Sequence, residues 1–186
     1  MRMDERQALT AAHLINEAKV DDLANIFWEL GGEPNSRRFA RAIEADRQER
    51  PFTTTAQLAG LIERLAPRRG KKTHPATAVF QALRIAVNDE LGSLRKGLAG
   101  AVSLLRPGGR LAVISFHSLE DRAVKQFGRA GALDYTYTGP VDVPELRQPR
   151  QAELRCVSRK AIKPGAAELA ENPRSRSAQL RVFEKT

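Results

Sequence analysis

Several things are scarce in this chain, and each scarcity removes a class of function. Cysteine occurs once, as Cys156, so no internal disulfide can form. The three histidines, His13, His74 and His117, are scattered without the paired spacing of a zinc site, and no structural metal is expected. No apolar run approaches the roughly 18 residues that cross a bilayer, and no charged-then-apolar leader opens the chain, so the expectation is a cytoplasmic protein with no membrane partner. No G-x-G pattern lies between an apolar strand and a helix: Gly31-Gly32 closes a helical stripe, and Gly108-Gly109 precedes a strand, the wrong side for holding a nucleotide. No internal repeat is found.

Positive charge is abundant. Lysine and arginine number 31 against 22 acidic residues, a net charge of +9 with a pI near 10.3. This favours a polyanionic partner, nucleic acid being the commonest for a cytoplasmic protein, although charge alone does not separate binding from solubility. With 41% apolar residues, a chain of 186 suits one domain, or one and a fraction, around a real core.

The stretch Arg110 to Gln126 changes periodicity in its middle. After the breaker Pro107-Gly108-Gly109, the run Leu111-Ala112-Val113-Ile114 reads as a strand buried on both faces, the kind found in a parallel sheet. Ser118-Leu119-Glu120-Asp121 resembles a capping box, with the Ser118 hydroxyl opening a helix over Leu119 to Phe127. Phe116-His117-Ser118 then lies at the carboxyl end of a strand, where open α/β sheets place ligands; an ordinary strand-to-helix turn is the competing reading.

Upstream, the sequence predicts helices. Met1-Arg2-Met3-Asp4 alternates as if in the middle of a strand. Thr10 caps a first helix to about Ala18, and Asp21 or Asp22 a second, with Leu23, Ile26, Phe27 and Leu30 inside until Gly31-Gly32. Trp28, beside that stripe, reads first as a partly buried packing residue and second as a base-stacking platform. Ser36 begins a third helix whose Phe39 and Ile43 face inward, while Arg37, Arg38, Arg41, Arg47 and Arg50 make a basic face, either solvated or in contact with RNA backbone. Thr54 to Gln57 is a second capping box, opening a fourth helix with Leu58, Leu61, Ile62 and Leu65 inside. Residues 10 to 66 thus form a helical subdomain.

Arg68-Arg69-Gly70-Lys71-Lys72 reads as a basic linker. Pro75 suits the first position of a fifth helix capped by Thr73 or His74, on which Gln81, Arg84 and Asn88 share a polar face, either solvent-facing or a pocket wall. Leu94, Leu98, Val102 and Leu105 mark a further helix. After Gly128 a proline-rich long loop is expected, then two antiparallel edge strands, Leu154 to Ile162 and Ala178 to Phe183. The turn between them, residues 171 to 177, is rich in arginine and hydroxyl groups and suits phosphate contact or plain solvation.

Four segments carry a resemblance: HPATAVFQALRIAVNDEL, LLRPGGRLAVISFHSLEDRAVKQF, ENPRSRSAQLRVFEKT and the opening MRMD. Together they resemble the ribosomal small-subunit RNA methyltransferase H family, known as RsmH or MraW, over essentially the whole chain. The resemblance implies an α/β fold, a partial Rossmann-like methyltransferase sheet with a helical substrate-binding insertion. Residues 1–9 would lead out of the methyltransferase core, 10–66 would be the insertion and 67–186 the carboxyl-terminal part of the core. The implied reaction is transfer of a methyl group from S-adenosylmethionine to N4 of a decoding-centre cytosine in 16S ribosomal RNA, the small ribosomal subunit being the partner. Family members carry a glycine-rich loop and acidic cofactor contacts before the MRMD segment. The chain therefore looks like the carboxyl-terminal part of such an enzyme, unable to bind cofactor alone, and completed by an amino-terminal half or self-associating through an open sheet edge. The alternative is a non-catalytic basic RNA-binding or ribosome-assembly module.

Cytosine N4 is a weak nucleophile because its lone pair is delocalised, so an enzyme must orient the amine and accept hydrogen bonds from it, with the base extruded and read by its edge. Within the family-like motifs, Asp4 is the first candidate acceptor and Ser118 the second, while His117 would orient the base or relay the proton. Gln81, Arg84, Asn88, Phe116, Arg174 and Arg176 are the candidate RNA contacts.

Overall fold

The computed structural model describes residues 1–68, 70, 73–138 and 140–186. The architecture is mixed α/β, with helices and small antiparallel sheets. Packing divides the chain into Met1–Glu90 and Leu91–Thr186.

In the first unit, the Thr10 hydroxyl accepts from the His13 amide at 3.1 Å and starts α1 (Ala11–Glu17). Helix α2 (Val20–Glu29) begins earlier than expected. Lys19 holds its N-cap with no side-chain bond, and Asp21 and Asp22 sit in the first turn, where negative charge still suits the helix dipole. Leu23 and Phe27 are buried, whereas Trp28 is 60% exposed, against its expected packing role. It lies off the Leu23/Phe27 stripe, and helix phase overrides the usual preference of an indole for cover. At the end of α2, a Cβ on Gly31 would meet the Ala78 carbonyl oxygen at 2.5 Å, so this close approach admits only glycine.

Helix α3 (Ser36–Glu49) buries Phe39, Ala40 and Ile43. Its expected basic face is smaller than the sequence suggested, because Arg47 points inward. The Arg47 guanidinium donates to the carbonyls of Ile15 and Ala18, each at 2.8 Å, and pairs with Glu44. It satisfies carbonyls that the end of a helix leaves unpaired. The expected capping box at Thr54 and Gln57 closes in both directions and opens α4 (Thr55–Leu65).

Helix α5 (Thr77–Asn88) starts two residues after Pro75, with Ala76 at its N-cap; His74 Nδ1 instead accepts from the Ala76 amide at 3.1 Å. Val79, Ala82 and Leu83 of α5 complete one core with Leu23, Phe27, Phe39, Ile43 and Ile62. The packed unit therefore runs past residue 66, because the buried stripe of α5 has its partners among the earlier helices. Of the basic linker, Arg69, Lys71 and Lys72 lie outside the described residues, as does Gly139 further on.

The second unit contains α6 (Glu90–Leu104), β1 (Arg110–Ser115), α7 (Ser118–Gly131), β2 (Tyr135–Tyr137), β3 (Arg147–Pro149), β4 (Leu154–Cys156), α8 (Ala166–Glu171) and β5 (Gln179–Lys185). Its main sheet has the order β1-β5-β4, with both pairings antiparallel. The expectation that β1 is covered on both faces, in a parallel setting, is not met. Leu111 and Val113 pack on the inner face with Phe183, Val124 and Leu98, while Ala112 and Ile114 are exposed, Ile114 to 59%. An apolar run with no polar alternates reports side-chain chemistry on both faces, not whether both are covered within these residues. Among the described residues, β1 has a strand partner on one edge only.

At the other end of that strand pair, Lys185 Nζ donates to the carbonyls of Val102 and Leu105 at 3.0 and 2.8 Å, closing the carboxyl end of α6. The expected long loop contains a hairpin, β2 with β3. There Asp142 accepts from Tyr135 and Arg147 at 2.8 and 2.7 Å, and the Arg147 guanidinium lies 4.3 Å from the Tyr135 ring centre. Of the expected strand Leu154 to Ile162, β4 takes only the first three residues; Ile162 returns as a single bridge to Leu180. No helix among the described residues is long and apolar enough to cross a membrane.

Candidate functional site

In the second unit, the turn from β1 to α7 is built around one carboxylate. Glu120 Oε2 accepts from the amides of Phe116 and His117 at 2.9 and 3.3 Å, while His117 Nδ1 accepts from the Glu120 amide at 3.3 Å. The cap is therefore His117, in extended backbone at φ −136° and ψ 162°, one residue before the expected Ser118. An imidazole lone pair here does the work of the usual hydroxyl. Accepting at Nδ1 puts the ring proton on Nε2, which lies 3.3 Å from Glu120 Oε1. His117 thus has a structural task at Nδ1, while its buried Nε2 makes no hydrogen bond among the described residues. Ser118, the first helical residue, is exposed, as is Phe116 at 57%. Asp121, expected as part of the box, instead forms a two-point pair with Arg181 at 2.8 and 2.9 Å.

The arginine turn lies at the same sheet end. Ser115 pairs with Gln179 in the β1–β5 register, and its hydroxyl donates to the Gln179 carbonyl at 3.4 Å. Just before β5, residues Pro173–Ser177 form a 3-10 turn opened by Asn172, whose side chain accepts from the Arg174 amide at 3.2 Å. Ser175 is buried and donates to the Asn172 carbonyl, leaving Arg174 and Arg176 exposed. The turn holding Phe116, His117 and Ser118 and the turn holding Arg174 and Arg176 therefore flank the same end of the β1–β5 pair.

In the first unit, Asn88 ties down the opening segment. Its side chain accepts from the Met3 amide at 2.8 Å and donates to the carbonyls of Met1 and Arg84 at 3.0 and 2.8 Å. Gln7 also donates to the Val87 carbonyl. Asp4 consequently follows directly on a residue held at the carboxyl end of α5. Arg6 binds both Asp4 oxygens, at 3.0 and 2.9 Å, and holds the carboxyl below its ordinary range. Asp4 stays an acceptor-only carboxylate, already engaged by Arg6. Arg84 makes a fork to Glu90 at 2.7 and 2.9 Å, and Gln81 is half-buried on the same helix. Asn88 and Arg84 therefore have structural partners in addition to any role with a ligand.

Among the described residues, the two strand-to-helix connections of the main sheet do not fit the glycine-rich cradle that S-adenosylmethionine would need there. Neither strand-to-helix connection of the main sheet among the described residues, β1 to α7 or β4 to α8, carries paired glycines, and the first turn of α7 is closed by Glu120. A groove of about 670 Å³, not foreseen from the sequence, lies beside Trp28 and the start of α3. Its signal was the phase of Trp28 relative to the buried stripe of α2.

The chain is similar to proteins named ribosomal RNA small subunit methyltransferase H. That of Thermomicrobium roseum is 48% identical over 185 residues, covering all of this chain and 56% of that protein. That of Dehalococcoides mccartyi is 49% identical over 185 residues, covering 52% of its length. That of Xanthomonas axonopodis pv. citri is 52% identical over 187 residues, covering 53%. The chain spans about half the length of the curated relatives it matches. Matched by the family over residues 1–186, the chain belongs to the MraW methylase family.

Proposed function

We propose that this chain supplies the RNA-facing portion of an S-adenosylmethionine-dependent methyltransferase of the cytoplasm, acting on N4 of a decoding-centre cytosine in 16S ribosomal RNA. The names of its relatives support the substrate class. One observation carries the site: an exposed phenylalanine and a free-standing serine share a sheet end with two exposed arginines. An exposed aromatic face suits an unstacked base, and exposed guanidinium groups suit its phosphates. Ser118 would accept from the cytosine amine and His117, held by Glu120, would fix the edge of the site. On the first unit, Asp4, the first candidate acceptor of the sequence, would be the alternative to Ser118, Gln81, Arg84 and Asn88 would be RNA contacts, and residues 10–66 would serve as the substrate-binding insertion.

A second reading, an RNA-binding or ribosome-assembly module without catalysis, is favoured by one observation: Glu120 takes up the backbone amides of Phe116 and His117 in the turn just before α7, where an anionic ligand group would otherwise bind. Both readings require RNA contact at the sheet end. Binding of a decoding-region RNA to the chain, measured against salt, tests it. Arg174→Gln with Arg176→Gln should reduce the slope of log affinity against log salt by about 1 to 2, one unit or slightly less per lost phosphate contact. Phe116→Ala should weaken binding by about 1 to 3 kcal/mol while leaving the slope alone. An unchanged slope and affinity in these variants would remove the sheet end from the RNA interface.

A further inference from the structure

The groove on the helical unit is not used by the site described above. Trp28 forms one wall and is 60% exposed, although Leu23 and Phe27 on the same helix are fully buried. Arg37, Arg38 and Arg41 of α3 form the other wall, and all are exposed. Several other guanidinium groups have a carboxylate partner: Arg47 with Glu44, Arg64 with Asp46, Arg155 with Glu184 and Arg181 with Asp121. Among the described residues, no carboxylate makes an ion pair with Arg37, Arg38 or Arg41. Three uncompensated cations side by side on one helix repel one another, and the fold gains nothing visible from them. An anion between them and the indole would relieve that repulsion.

The remaining chemistry narrows the anion. The α3 amino terminus opens on the groove, and Asn35 at its cap makes no side-chain bond to it, so the first helical amides add positive potential. Asn35 donates to Glu33 through both its amide and its side chain, which fixes the rim. Asn25, one turn before Trp28, offers an amide with both donor and acceptor to the same space. An acidic peptide would satisfy the arginines but leave the indole face without a planar partner. A nucleotide matches both walls: its base has a π-face for Trp28 and its phosphate suits the arginines. The volume of about 670 Å³ lies within the range of small-ligand sites.

We propose that this groove is a subsite for one nucleotide of single-stranded RNA, its base stacked on Trp28 and its phosphate held by Arg37, Arg38 and Arg41. The proposal rests on the RNA-substrate reading above and adds a contact on the helical unit, independent of the sheet end.

Trp28 is the single tryptophan of the chain, so its emission reports this groove alone. The full chain is titrated with a short mixed-sequence single-stranded RNA, with polyphosphate and with an acidic peptide, and binding of end-labelled RNA is followed by anisotropy in parallel. The expected result is saturable quenching by RNA, whereas polyphosphate displaces the RNA without quenching. Trp28→Ala should weaken RNA binding by about fivefold or more, and Trp28→Phe should recover most of it, with melting temperatures unchanged because the side chain is exposed. Arg37→Gln with Arg41→Gln should lower the salt slope by about 1 to 2. RNA that binds without changing Trp28 emission, with Trp28→Ala binding as tightly as the parent, would overturn the subsite while leaving the RNA reading intact. No RNA binding at all would overturn both. Stronger quenching and tighter binding by the acidic peptide would assign the groove to a protein and overturn the proposal.

Discussion

Asp121 and Arg181 show how one pair fixes a helix to a sheet. Their side chains are only 14% and 10% exposed, and Arg181, on the inner face of β5, reaches the first turn of α7 with two hydrogen bonds. Arg181 holds the Asp121 carboxyl below its ordinary value, its hydrogen bonds outweighing the burial that would raise it. A depressed carboxylate contributes stability above its unfolded pKa and loses it as pH falls through the folded value, so the contribution is complete at neutral pH and fades below about pH 4. Asp121→Asn strands a buried guanidinium and should destabilise the second unit by about 3 kcal/mol in urea unfolding at pH 7, with a shallower acid limb. Replacing both, Asp121→Leu with Arg181→Met, should cost far less. A loss below about 1 kcal/mol for Asp121→Asn, with the acid limb unchanged, would show that the pair does not hold the helix. Asp4 shifts in the same direction through Arg6, but this exposed pair sets charge state and not stability.

At the scale of elements, the close approach of α7 to β5 depends on a missing side chain. A Cβ on Gly128 would lie 2.0 Å from the Phe183 ring, and one on Gly131 would lie 2.7 Å from Leu154. Gly128→Ala must push α7 off the sheet, at a cost of about 1 to 3 kcal/mol. Gly97, inside α6 with nothing near its would-be Cβ, provides the contrast: Gly97→Ala should stabilise by about 0.5 to 1 kcal/mol. Thermal melts in which both variants move the same way would contradict the packing. These contacts also mark where the sequence was legible. The Thr54 capping box, the Thr10 cap, the α3 and α4 stripes and the antiparallel carboxyl-terminal pair follow from local signals, and all appear. The inward turn of Arg47, the histidine cap at His117 and the β2–β3 hairpin depend on partners distant in sequence or on a residue seldom used in that role. Of the candidate site, the Phe116–Ser118 turn and the arginine turn were legible as turns, but not their place at the same end of one strand pair, which only the Ser115–Gln179 register supplies.

For the whole molecule, part of the net charge of +9 lies on the two surfaces proposed to contact RNA, one on each unit. On the second unit this is the sheet end with Phe116, Ser118, Arg174 and Arg176; on the first it is the Trp28 groove. Arg64, Arg84, Arg155 and Arg181, outside these surfaces, are engaged in ion pairs. Amide chemical shifts of the full chain, followed by NMR during titration with a decoding-region RNA hairpin, test this claim most directly. The account predicts saturable shifts concentrated at residues 116–118, 172–177, 25–28 and 35–41, weakening steeply with salt. Shifts confined to other surfaces, such as the exposed face of α6 or the β2–β3 hairpin, or binding indifferent to salt, would contradict it.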